Sequence, residues 1–125
     1  MGYRSEVAYH IKFNDEGQWN LFLLEAKSKP ETRLCFEDES LSIEHEKQEF
    51  RFHAEWVKWY PDYEDVKCHH KLFELCDEYN ERGEKYVCEW LFRRVGESED
   101  DIESMSGGEP DWDTIELNRS LQVNW

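Results

Sequence analysis

The chain of 125 residues has no long apolar run, only six glycines and three prolines, and half as many cations as anions. No stretch approaches the roughly 18 consecutive apolar residues that a membrane helix needs. The opening segment, Met1 to Phe13, interleaves charges with apolar residues and lacks the core of a signal peptide. No internal repeat and no linker divides the sequence, so a single domain over 1–125 is expected. No Gly-x-Ser-x-Gly elbow occurs, and the serines fall in polar turns, so a nucleophilic triad is not indicated. Gly107-Gly108-Glu109-Pro110 is not followed by a lysine and has acidic neighbours, which makes it a turn rather than a phosphate loop. Fifteen Lys and Arg against 30 Asp and Glu leave a formal charge of −15. That balance excludes direct binding of a phosphate backbone or an anionic membrane surface.

Aromatics, in contrast, are plentiful. Six Trp, six Tyr and seven Phe make up 15% of the chain, which excludes the disordered acidic class and provides material for a core. Val7, Tyr9, Ile11 and Phe13 alternate with polar or small residues, the period of a strand with one buried face. Asp15 with Gln18 resembles a capping box, and Trp19, Phe22, Leu23 and Ala26 follow at helical spacing until Pro30. Leu41, Ile43 and His45, then Phe50, Phe52, Ala54 and Trp56, form a hairpin around a turn near Lys47. The phase changes after Trp56, which requires either a bulge or a strand end covered on both faces. A second helix is expected from Pro61-Asp62, with Asp62 as N-cap, one face lined by Cys68, Leu72, Leu75, Cys76 and Tyr79, and a stop at Gly83. Lys85 to Val95 is apolar on both parities, as in a central strand ended by Gly96. Leu121, Val123 and Trp125 alternate to the last residue, as a strand pinned into the sheet would. The order predicts an α+β protein: a ferredoxin-like sandwich with a mainly antiparallel sheet, two helices on one face and an added C-terminal strand.

Three groups of residues carry candidate chemistry. Cys68-His69-His70 with Cys76 is the only cluster suggesting a metal. Cys68 and Cys76 stand about 12 Å apart along a helix and cannot readily share one ion. Cys68 and His69 would have to meet Cys88 or His53, and the plainer alternative is small apolar thiols beside two partly exposed histidines. No metal, cofactor or catalytic residue is therefore assigned, and the four cysteines are expected to be reduced and buried. The second group is aromatic: Trp56, Trp59, Tyr60 and Tyr63 either cover an open sheet edge or form a binding surface.

The third group is acidic. Between Gly96 and Glu116 there are nine acids and no Lys or Arg, in a loop or hairpin over about 96–116. Residues 61–125 carry 18 acids against seven bases, a net −11, while residues 1–60 carry only −4. A run of this kind is either a solubilising surface or an array of anions that fits a basic groove. Carboxylates on one strand face repeat every 6.5–7 Å or so. Those at i, i+4 on a helix, such as Glu74 and Glu78, lie about 5–6 Å apart. Glu97, Glu99, Asp100, Asp101 and Glu103 are the residues that would meet a partner in this way.

Met1-Gly2-Tyr3-Arg4-Ser5-Glu6-Val7, Ala26-Lys27-Ser28-Lys29-Pro30-Glu31-Thr32, Val57-Lys58-Trp59-Tyr60, Tyr63-Glu64-Asp65-Val66 and Gly108-Glu109-Pro110-Asp111-Trp112-Asp113 resemble a family of small proteins encoded by tailed bacteriophages and prophages. The resemblance spans most of the chain. It implies a viral origin and expression in the cytoplasm of a bacterial host, and a role in binding host proteins such as nucleases and other defence factors. It implies no catalytic residues. The expected function is thus a non-enzymatic phage accessory protein that binds a basic host protein through its acidic face, as an anti-defence inhibitor or nucleic-acid mimic. The alternatives are an assembly protein that oligomerises through the aromatic patch and a small metal-dependent enzyme using Cys68, His69 and His70.

Overall fold

The alternating first segment becomes the strand on which the rest is built. In the computed structural model, which describes residues 2–83, 85–98, 100–118 and 120–125, β1 (Ser5–Phe13) is flanked by antiparallel neighbours on both sides. The chain continues through α1 (Glu16–Ser28), α2 (Pro30–Arg33) and a 3-10 turn (Leu34–Glu37). Next come β2 (Leu41–Glu44), β3 (Glu49–Val57), α3 (Glu64–Glu81), β4 (Cys88–Gly96) and β5 (Ile102–Gly107). A 3-10 turn (Trp112–Thr114), β6 (Ile115–Asn118) and β7 (Ser120–Val123) complete it. The main sheet has the order β2-β3-β1-β4-β5, every pair antiparallel, and β6 and β7 form a second, two-stranded sheet. The architecture is α+β.

The pleat divides the main sheet into two chemically different faces. Val7, Tyr9, Ile11 and Phe13 project towards the helices and meet Trp19, Phe22, Leu72 and Tyr79 in one buried cluster. Ring contacts knit it together: Phe13 to Phe22 at 4.7 Å, Tyr9 to Phe73 at 4.8 Å, and Phe73 stacked on Trp90 at 4.6 Å. On the opposite parity, Ala8 and Leu91 meet Ile115 and Leu121 of the β6–β7 hairpin in a small second cluster. Helices, sheet and hairpin therefore make three layers.

Local chemistry explains where the elements start and stop. Asp15 caps α1 from an extended backbone, its Oδ2 accepting from the Gln18 N–H at 2.9 Å. Pro30 does not merely end α1; it occupies the first turn of α2, where a missing N–H is harmless. Asp62 does not cap α3. The Tyr63 N–H donates to the Tyr60 carbonyl at 3.0 Å, which puts Pro61 and Asp62 at the centre of a turn and leaves Tyr63 at the cap without a side-chain bond. Residues 85–87 stay outside β4 because Asn80 takes the chain there: its Oδ1 accepts from the Val87 and Cys88 N–H groups, and its Nδ2 donates to the Cys88 carbonyl. The expected C-terminal strand does not join the main sheet. β7 pairs with β6 instead, because Ile115 and Leu121 of that hairpin are buried against Ala8 and Leu91 on the face of the sheet rather than at its edge, and Trp125 stacks on His10 at 5.8 Å. Among the described residues no helix is long and apolar enough to cross a membrane.

Candidate functional site

One end of the sheet joins two surfaces that are far apart in sequence. At the end of β3 the register with β1 slips: Val7 lies opposite Ala54 but Ser5 lies opposite Val57, so Glu6 faces both Glu55 and Trp56. Of the two readings of the change of phase, a bulge or a doubly covered strand end, this is the bulge. The extra residue, Trp56, has φ +61° and is 66% exposed. A bulky side chain in the left-handed region is a genuine outlier, at a cost of roughly 1–2 kcal/mol. Trp59, just beyond the end of β3, faces inward. It is only 8% exposed and stacks on His69 at 5.4 Å, so it belongs to the core and not to a surface aromatic patch. Of the other two aromatics, Tyr60 is half-buried and Tyr63 is exposed, with their rings edge to face at 5.0 Å.

Tyr3 clasps this aromatic end to the acidic one. Its N–H donates to Tyr60 Oη at 2.6 Å, while its own Oη donates to Asp101 Oδ2 at 2.7 Å and accepts from the Ser98 N–H at 3.0 Å. The Arg4 N–H donates to Glu97 Oε1 at 3.0 Å. A depression of about 500 Å³ results, lined by Gly2, Tyr3, Arg4, Trp56 and Glu97. A Cβ at Gly96 would push Asp101 Oδ2 and Tyr3 Oη aside, so glycine at this position lets the clasp close.

Arg94 organises the carboxylates. It grips Asp101 with both terminal nitrogens, at 2.7 and 3.0 Å, and donates from Nε to Glu103 Oε1 at 3.1 Å and from Nη1 to Ser5 Oγ at 3.1 Å. The Arg94 fork, helped by the Tyr3 hydroxyl, holds the Asp101 carboxyl down at a pKa of about 2. Glu97 and Asp100 are exposed, Asp101 and Glu103 are half-buried by these bonds, and Glu99 lies outside the described residues. Segment 96–116 is therefore no free loop: after a turn at Ser98–Asp101 it returns as β5 on the sheet edge.

The acidic surface continues onto α3. Glu74, Asp77, Glu78 and Glu81 are all exposed and fall at i, i+3, i+4 and i+7. Asp77 Oδ1 accepts from Trp90 Nε1 at 2.9 Å and crowds Gly107 of β5. Burial lowers the pKa of His70, against the opposing charges of Glu103 and Glu74. The last turn of α3 carries no base, so its acids run against the helix dipole.

A second, interior group is polar. His69 is fully buried, with Nδ1 2.7 Å from Tyr9 Oη and Nε2 3.1 Å from Asp38 Oδ2. A carboxylate only accepts, so Nε2 carries a proton. Cys35, Cys68 and His69 bring ligand-type atoms within 4.8 Å of one another. The hydrogen bond with Cys68 and then burial push the Cys35 thiol well above its usual range. Neither Cys88 nor His53 joins this group. Cys88 Sγ faces the Cys76 carbonyl at 3.5 Å, and His53 pairs with Glu6 at 2.7 Å. His70 is half-buried against Phe73 and Phe92, away from the thiols, and His69 is not partly exposed as expected.

No family model, curated protein or solved structure matches the chain. Sequence reasoning missed Tyr3, Arg94 and Cys35. Arg94 had a readable signal, a base just ahead of an acid-only run at hairpin distance. Tyr3 had none, since its acidic partner is 98 residues away.

Proposed function

We propose that the protein is a non-enzymatic binding protein that docks a basic partner on the end of the sheet where Trp56 and Tyr63 stand beside Glu97, Asp100, Asp101 and Glu103. The observation that carries this reading is Trp56, a large ring held outward at φ +61° in a depression it shares with Glu97. Strain in a folded chain persists where the surroundings over-determine it, and it gathers at functional positions. Exposed Trp is also the residue type most enriched among interface anchors. The carboxylates around it supply steering and register towards Arg and Lys of the partner, and the α3 stripe extends the anionic surface beyond the sheet edge.

With the resemblance to phage-encoded proteins, the partner is a basic protein of a bacterial host, and the acidic array imitates the phosphates such a protein binds. The sheet order β2-β3-β1-β4, with helical crossovers after β1 and β3, supports a ferredoxin-like core beneath this surface. Assembly through the aromatic side is less favoured, because Trp59 is withdrawn into the core. Affinity purification from a bacterial lysate at low and high salt tests the proposal. A basic protein retained at low salt and released at high salt is the expected result. Retention that ignores salt, or no basic protein retained, contradicts it. Sedimentation over a concentration series separates the assembly reading, which requires a mass that grows with concentration.

A further inference from the structure

We propose that Cys35, Cys68 and His69 form a buried zinc site, with Asp38 orienting the histidine. Three elements build it: the 3-10 turn after α2 supplies Cys35, the first half of α3 supplies Cys68 and His69, and β1 brings Tyr9 against the ring. The ligand-type atoms of the trio lie within 4.8 Å of one another. Tetrahedral coordination at a Zn–S length of about 2.3 Å sets ligand atoms about 3.5–3.8 Å apart, so side-chain shifts of about 1 Å close the site. Two thiolates and an imidazole are a soft donor set that suits zinc rather than magnesium or calcium.

The tautomer is already suited to the task. Asp38 accepts from the Nε2 N–H, which leaves Nδ1 as the ring nitrogen on the other side, 2.7 Å from Tyr9 Oη. A carboxylate bonded to the non-ligating nitrogen is the usual outer partner of a zinc-bound histidine. Tyr9 Oη, 2.7 Å from His69 Nδ1, is the oxygen beside the trio and offers the fourth position. Asp38 has 31% of its side chain exposed and provides the way in from solvent, whereas His69 itself has none. This polar group sits among the rings of Phe52, Trp59 and Phe73. Binding releases the two thiol protons to solvent as the zinc–sulfur bonds form, with no change of oxidation state.

The test is titration of the reduced, full-length protein with Zn²⁺ and, in parallel, Co²⁺. One equivalent of zinc is expected, together with a thiolate-to-cobalt charge-transfer band and intense visible bands of tetrahedral cobalt. Cys35→Ser and Cys68→Ser each abolish the charge-transfer band or weaken binding at least tenfold. Asp38→Asn weakens it about 10–100-fold while leaving the cobalt spectrum tetrahedral. Because the cysteine variants could fail to fold, wild-type protein is also alkylated with and without zinc and mapped by peptide. Zinc is expected to slow modification of Cys35 and Cys68 and leave Cys76 and Cys88 unchanged. A cobalt spectrum without thiolate bands overturns the proposal, as does zinc protection that falls equally on all four cysteines.

Discussion

The helix-covered face of the sheet and its Tyr3-clasped end obey opposite rules. On the covered face, Phe13, Phe22, Phe50 and Tyr79 are fully buried, in ring contact with one another, in ordinary strand and helix backbone. At the clasped end a tryptophan is held outward in a strained backbone, and a single arginine holds two carboxylates within 3.1 Å of its nitrogens. The first arrangement follows from burying apolar area. The second does not maximise stability, and that difference is the reason the clasped end is the one proposed as a docking surface.

Damage to each region in turn should separate stability from binding. Phe22→Ala should cost about 3–5 kcal/mol, read by urea unfolding, because a filled aromatic position becomes a cavity. Capture of partner per folded molecule should not change. Arg94→Met should cost about 1–3 kcal/mol through the charged hydrogen bonds it removes, with β5 fraying first in hydrogen exchange.

The same variant alters the response to acid. The Asp101 carboxyl is depressed in the folded protein, to about 2 from its usual 3.8. Its stabilising contribution is therefore present above about pH 4 and is lost as the pH falls towards 2. Wild-type stability should decline across that window, and both Asp101→Asn and Arg94→Met should flatten the decline. A carboxyl titration followed by NMR should give a midpoint near 2 for Asp101 in the wild type and a higher one in Arg94→Met.

Smaller effects sharpen the contrast. Trp56→Gly removes a large exposed ring but suits φ +61°, so stability should stay equal to wild type or rise by up to about 1 kcal/mol. A loss above about 2 kcal/mol would make Trp56 a structural residue and remove the distinction between the two regions. Asp100→Asn, at an exposed position of the β4–β5 turn, should change stability by less than about 0.5 kcal/mol. It should still weaken capture measurably at low salt.

Much of the core was legible because its signals are local. The alternation of Val7, Tyr9, Ile11 and Phe13, and the helical spacing of Trp19, Phe22, Leu23 and Ala26, correspond to the observed strand and helix. The irregularity at Trp56 was legible as a break in phase that allowed a bulge or a doubly covered strand end, but not which ring it would expose. Alternation cannot tell Trp56 from Trp59 without knowing that the residue at the slip takes a left-handed φ. β5 was hidden because Ile102–Gly107 is short, polar and flanked by acids, and it pairs only on one side. The candidate site was half legible. The acids and aromatics could be named, but Tyr3 and Arg94, which bring them to one end, act across 57 to 98 residues of chain or face neighbours only after the hairpin forms. Cys35 was missed for the same reason, since its partners stand on α3.

The most direct test of the central claim is side-by-side capture from bacterial lysate on immobilised wild type and Trp56→Gly, at low and at high salt. A basic protein that binds wild type, is released by salt and binds the variant at least about thirtyfold more weakly is the predicted result. Equal capture by the two proteins, with Trp56→Gly as stable as the wild type, would contradict it.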